Sequence, residues 1–177
     1  MIKSRTKIKS LSIIIICFFM ILISCDSDHG IGLKQIEDTE FGFGGNIVFY
    51  GAWPDSVKRV FIIAFKDTLI TLDNLGFISN SLTLGIQSYK YSSLDSAIIP
   101  LSQFEIPPSV YKYVAVVQQS TVQISLDRKD WFVSGVYYAN GETTTPGILT
   151  IPENAFVDDI NIYCDFDNPP PQPPGGN

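Results

Sequence analysis

From Gly44 to Phe166 the chain is a succession of short β-branched and aromatic runs, each stopped by Gly, Pro, Asn or Asp. The runs are Asn46 to Trp53, Val57 to Lys66, Ile86 to Tyr91, Gln103 to Ile106, Tyr111 to Gln119, Trp131 to Tyr138, Gly147 to Ile151 and Ile160 to Phe166. Between them stand Pro54-Asp55, Pro107-Pro108, Asp127 to Asp130, Asn140-Gly141, Pro146 and Pro152 to Asn154. β-branched and aromatic side chains favour a pleated, half-buried surface, and the intervening residues favour turns. No stretch of ten or more residues combines an apolar face at helical spacing with a cap. The pattern predicts an all-β domain, an Ig-like or prealbumin-like antiparallel sandwich of about seven to eight strands.

Two runs say more. In the last, Ile160, Ile162, Cys164 and Phe166 alternate with Asn161, Tyr163, Asp165 and Asp167. One set faces a core and the other water, because successive strand side chains point to opposite faces. Cys164 therefore reads as a small core hydrophobe; no His or basic neighbour in sequence activates its thiol. Val60 to Phe65 is instead apolar on both faces, which demands a second cover. The Leu- and Ile-rich segment Asp67 to Ile99 is the expected cap; a partner protein is the alternative.

The N-terminus follows other rules. Lys3, Arg5, Lys7 and Lys9 precede a run from Leu11 to Ile23 that is apolar except for Ser12, and Ser24-Cys25 follows. A basic segment, a short apolar segment and a small residue before a cut form a secretory signal. The apolar run is shorter than the roughly 20 residues that span a bilayer. The ending Leu22-Ile23-Ser24-Cys25 resembles the lipobox of bacterial lipoproteins. That resemblance implies cleavage between Ser24 and Cys25, with a diacylglyceryl thioether on Cys25. Two or three acyl chains on one residue give stable anchoring. Asp26 and Asp28 accompany retention in the inner membrane in some lineages and export to the surface in others.

The expected organisation is a signal peptide over 1–24, a lipidated cysteine and flexible tether over 25–43, a sandwich over 44–167 and a disordered proline-rich tail over 168–177. Gly42-Phe43-Gly44-Gly45 reads as a hinge before the first strand. The tail reads as solvated polyproline II.

Losing the leader leaves eight Lys and Arg against eighteen Asp and Glu, a formal charge of −10. That argues against nucleic acid and against a polybasic contact with lipid head groups. Cys17 leaves with the leader and Cys25 is alkylated, so Cys164 has no intramolecular disulfide partner.

With the strands placed, Ile106-Pro107-Pro108-Ser109-Val110-Tyr111 and the strand after it are similar to the proline-proline turn and strand of transthyretin-like sandwiches. These include the carboxypeptidase regulatory-like domains. The resemblance implies that Tyr111 tucks into the core at the sandwich edge. It transfers no activity, because fold does not fix function.

Chemistry is sparse. The single histidine, His29, lies in the tether. Within the domain this leaves no Ser-His-Asp or Cys-His arrangement and no His-containing zinc site. No cofactor is expected. Asp158 and Asp159 share a turn and are the first candidates for a cation. Trp53, Trp131, Tyr137 and Tyr138 lie at strand ends, where aromatics stack on a ligand or close the ends of a sandwich. The function expected is a lipid-anchored binding or structural module of the cell envelope, at the outer membrane or cell surface. Its partners would be the membrane, through the lipid, and a glycan or an envelope protein. The alternatives are a carboxylate-based glycan hydrolase and a calcium-dependent surface module.

Overall fold

A computed structural model describes residues 40–68, 71–95, 97–99 and 109–174. The signal, Cys25, the tether up to residue 39 and the expected strand Gln103 to Ile106 lie outside these residues. The described strands are β1 (Gly42–Tyr50), β2 (Arg59–Phe65), β3 (Leu75–Ser79), β4 (Ser88–Ser92), β5 (Ala97–Ile99) and β6 (Ser109–Tyr111). They continue with β7 (Tyr113–Gln119), β8 (Phe132–Tyr137), β9 (Leu149–Ile151), β10 (Phe156–Val157) and β11 (Ile162–Asp165).

The large sheet runs β10-β1-β11-β8-β7-β2-β3-β5, with β4 also paired to β1, and β6 pairs β9 in a small second sheet. The large sheet curls. Phe43 of β1 meets Phe77 of β3 edge to face at 5.3 Å, although the two strands lie far apart in the sheet order. The small sheet closes the concavity with Tyr111, Leu149 and Ile151, all fully buried. Tyr111 lies against Gly76, where an added Cβ would stand 2.5 Å from its ring. Residues 106–108, which precede this strand, are outside the description. The fold is all-β and sandwich-like, as the run pattern predicts.

One feature of the pairing differs from the expected antiparallel sandwich. β1 runs parallel to both β10 and β11. Parallel neighbours need a long crossover, and more than a hundred residues separate these strands in sequence. The first and last strands can therefore lie side by side. Gly42 to Gly45 form part of β1 rather than a hinge. A Cβ on Gly45 would sit 2.5 Å from the Ile160 carbonyl oxygen, so the glycine permits this close approach. The domain consequently starts before residue 44, and Phe43 is fully buried.

β2 and β7 are central and apolar on both faces. Val60, Ile62, Ala64, Val114 and Val116 join the inner cluster between the sheets. Phe61, Ile63, Phe65, Tyr113, Ala115 and Val117 join an outer cluster with Trp131, Val133 and Val136. Full burial of each Val, Ile or Phe among them contributes about 1.5–3 kcal/mol. In place of the expected cap, the described parts of Asp67 to Ile99 contribute three strands, a 3-10 turn over Leu72–Asn74 and irregular chain. β3 and β5 extend the sheet beside β2, while β4 crosses over to β1. Leu75, Ile78 and the half-buried Ile99 then add to the outer cluster.

The tail also differs from expectation. Pro169, Pro170, Gln172 and Pro173 are half-buried, whereas Asn168, Pro171 and Pro174 are exposed. This period of three is that of polyproline II, lying on the protein rather than free in water. The Gln172 amide bonds both main-chain groups of Val133: Val133 N donates to Oε1 and Nε2 donates to the Val133 carbonyl, each at 2.9 Å.

Candidate functional site

β1 and β11 are buried on one face and open on the other. On β1, Ile47 and Phe49 point into the core, and Asn46, Val48 and Tyr50 point outward. On β11, Ile162 and Cys164 point inward, and Tyr163 and Asp165 outward. The parallel register sets Val48 against Tyr163 and Tyr50 against Asp165. The two tyrosines are thus diagonal neighbours on one face. Their rings lie 6.4 Å apart with 23° between planes, and they are 52% and 61% exposed. This is the exposed aromatic pair among the described ring contacts.

Polar groups share this face. Asn161 Oδ1 accepts from Asn46 N at 2.8 Å and from Asn46 Nδ2 at 3.2 Å. That arrangement leaves Asn46 Oδ1 and Asn161 Nδ2 for a ligand. β4 pairs antiparallel with β1, setting Lys90 opposite Asn46 and Ser88 opposite Val48 on the same open face. Asp165 lies opposite Tyr50 on the same face, and its Oδ1 accepts from the amides of Asp167 at 3.0 Å and Asn168 at 3.2 Å, forming the turn out of β11. The strip therefore combines flat apolar rings with amide and hydroxyl groups, one cation and the Asp165 carboxyl group. Such a surface can stack on an amphipathic ring and hydrogen-bond its edge substituents.

The four aromatics singled out from the sequence have other work. Trp53 tilts against Phe49 at 4.6 Å and Phe166 at 4.9 Å, and its Nε1 donates to the Ile86 carbonyl at 3.2 Å. Trp131 is only 4% exposed and sits in the outer cluster. Its indole N–H donates to the Ser125 carbonyl. Tyr137 packs against the inner cluster and Tyr138 against the outer one. Trp53 and Tyr137 thus pack on the inner cluster, and Trp131 and Tyr138 on the outer one. Tyr50 and Tyr163 were missed as a pair because their adjacency depends on parallel pairing. The signal available was Tyr163 on the outward set of the last strand.

Asp158 and Asp159 are exposed, and Asp159 takes a left-handed φ of 65° in the turn before β11. Among the described residues no three His, Cys, Asp or Glu come together as a group able to hold a metal ion. Two grooves flank Trp131. One, of about 280 Å³, is lined by Phe65, Leu72, Leu126, Arg128 and Trp131. The other, of about 360 Å³, is more polar and includes Gln118, Lys129, Asp130 and Phe132. Cys164 is fully buried and unpaired, and burial pushes its thiol pKa up, so it is an inert core side chain. No helix among the described residues is long and apolar enough to cross a membrane. Compared with protein-family models, with curated proteins and with solved structures, the chain matches none.

Proposed function

We propose that this chain is a lipid-anchored binding module of a bacterial cell envelope, held by Cys25 at the outer membrane or cell surface, with a glycan as its ligand. The observation that carries the ligand is the exposed, stacked Tyr50–Tyr163 pair, flanked by Asn46, Asn161 and Lys90. The apolar face of a sugar ring suits the tyrosines, and its hydroxyls suit the amides. A formal charge of −10 on the mature chain favours neutral or cationic glycans over polyanions. The lipid supplies retention at the membrane and the strip supplies recognition.

The test uses affinity electrophoresis of the mature domain through gels containing envelope polysaccharides, with Tyr50→Ala and Tyr163→Ala compared to wild type. Retardation by at least one neutral polysaccharide is expected, weakened about tenfold by either change, equivalent to roughly 1.4 kcal/mol. Equal retardation of wild type and both variants would remove the strip from the reading, and no retardation by any polysaccharide would remove the glycan. The anchor is separable: Cys25→Ser should leave the chain soluble or uncleaved, and unchanged membrane retention would refute it.

A further inference from the structure

β8 is paired along its length on one side by β7, but on the other side β11 reaches only Gly135, Val136 and Tyr137. At Val133 the strand edge is open to whatever lies beyond β11. The proline-rich tail lies there. Proline has no N–H, so a proline-rich segment cannot continue a sheet by its own backbone. Gln172 solves this with its side chain, whose amide offers one donor and one acceptor to the two main-chain groups of Val133. Nε2 of the same side chain also donates to the Pro170 carbonyl at 3.1 Å, holding the segment in its turn. A second contact reads the backbone: Arg128 Nη2 donates to the Pro173 carbonyl at 2.9 Å. Arg128 is itself oriented by an Nη1 bond to the Trp131 carbonyl at 2.6 Å. Its Nε is buried without a hydrogen-bond partner. Asp165 Oδ1 holds the turn out of β11 by accepting from the Asp167 and Asn168 amides.

We infer that the edge of β8 at Val133, together with Arg128, is a recognition site for an extended proline-rich segment of another protein that carries a glutamine, and that the chain's own tail is its resident occupant. Polyproline II is a recurrent recognition form because little conformational freedom is lost on binding. The groups that meet the tail read a glutamine amide and a carbonyl one residue later, a pattern that any segment of this kind presents. The tail is held by bonds from Gln172 and Arg128 and by the partial burial of Pro169, Pro170 and Pro173. Being tethered, the tail competes with an external segment through its high effective concentration. The inference is independent of the tyrosine strip, which lies along β1 and β11.

The experiment uses the full chain and its Gln172→Ala variant, titrated with a synthetic peptide of residues 168–177 and followed by calorimetry. Amide hydrogen exchange at Val133 is read in the same samples. Gln172→Ala should exchange faster at Val133, and should bind the peptide at least tenfold more tightly than wild type does. A peptide with alanine in place of the glutamine should bind neither. Unchanged exchange at Val133 would show that the tail does not occupy the edge. Absence of peptide binding to the variant, or equal binding to both proteins, would show that the edge is not a site for a segment supplied from outside. Because Gln172 lies outside the sheet, the variant retains every strand contact; its melting curve serves as the folding control.

Discussion

The outer face of the large sheet has two halves made from the same kinds of strand. Over β2 and β7 it carries Phe61, Ile63, Phe65, Ala115 and Val117, all buried. Over β1 and β11 it carries Asn46, Tyr50, Asn161 and Tyr163, the tyrosines more than half exposed. The inner face is buried beneath both halves. A strand covered twice contributes stability and has no side chain left for a ligand. A strand covered once keeps every second residue available. In this molecule the candidate site lies on the half where one face is free.

That contrast can be broken experimentally. The largest effect should come from deleting an aromatic on the covered half. Phe61→Ala is expected to lower stability by about 3–5 kcal/mol. Tyr163→Ala, the same kind of deletion on the open half, should change it by no more than about 0.5 kcal/mol. Urea midpoints of the two variants measure this directly, and comparable losses would mean that the two halves are alike.

Next comes alkaline pH. Burial raises the pKa of Tyr91 and of Tyr113, with the charges of Tyr137 and Tyr138 as lesser causes, and burial also raises Cys164. The stabilisation linked to these groups is fully present below their unfolded values, 10.0 for the phenols and 9.0 for the thiol. It is lost as pH rises from there towards the folded values, because the unfolded chain gives up its protons first. Each group alone adds a slope of up to about 1.4 kcal/mol per pH unit. Denaturant midpoints should fall steeply above pH 10, and Tyr91→Phe should flatten the fall. An unchanged slope in that variant would show that this phenol is not buried.

A third test addresses the seam between the halves. A Cβ on Gly135 of β8 would lie 2.6 Å from both Cys164 Sγ and the Tyr163 carbonyl oxygen. Gly135→Ala should cost about 1–3 kcal/mol through overpacking. It should also weaken the tyrosine strip by shifting β11. A stable variant with unaltered ligand binding would show that β11 has room to move.

Several elements were legible before any coordinates, and particular residues show why others were not. The alternation from Ile160 to Phe166 placed Cys164 inside and Tyr163 outside, as the structure has them. The apolar run Val60 to Phe65 announced a strand buried on both faces, and β2 is one. Leu75 to Ser79 was missed as a strand because Gly76 interrupts it; the glycine is there to admit the Tyr111 ring. Strands of two or three residues, such as β5, β6 and β10, are too short to carry a period. The glycines at 42, 44 and 45 read locally as a hinge, since nothing in the sequence shows that Ile160 and Phe156 will press against them.

The sequence by itself determined the class of fold, the two-faced and one-faced strands and the lack of histidine chemistry in the domain. All of these follow from residue type and a period of two. Tertiary structure alone decided that β1 lies parallel to β11, that Tyr50 meets Tyr163, that the two tryptophans pack on different clusters and that Gln172 finds Val133. Each of these is a pairing between residues that are not local in sequence, chosen by how the whole sheet curls to bury its core. A local pattern states which face of a strand seeks cover and leaves open which distant strand supplies it.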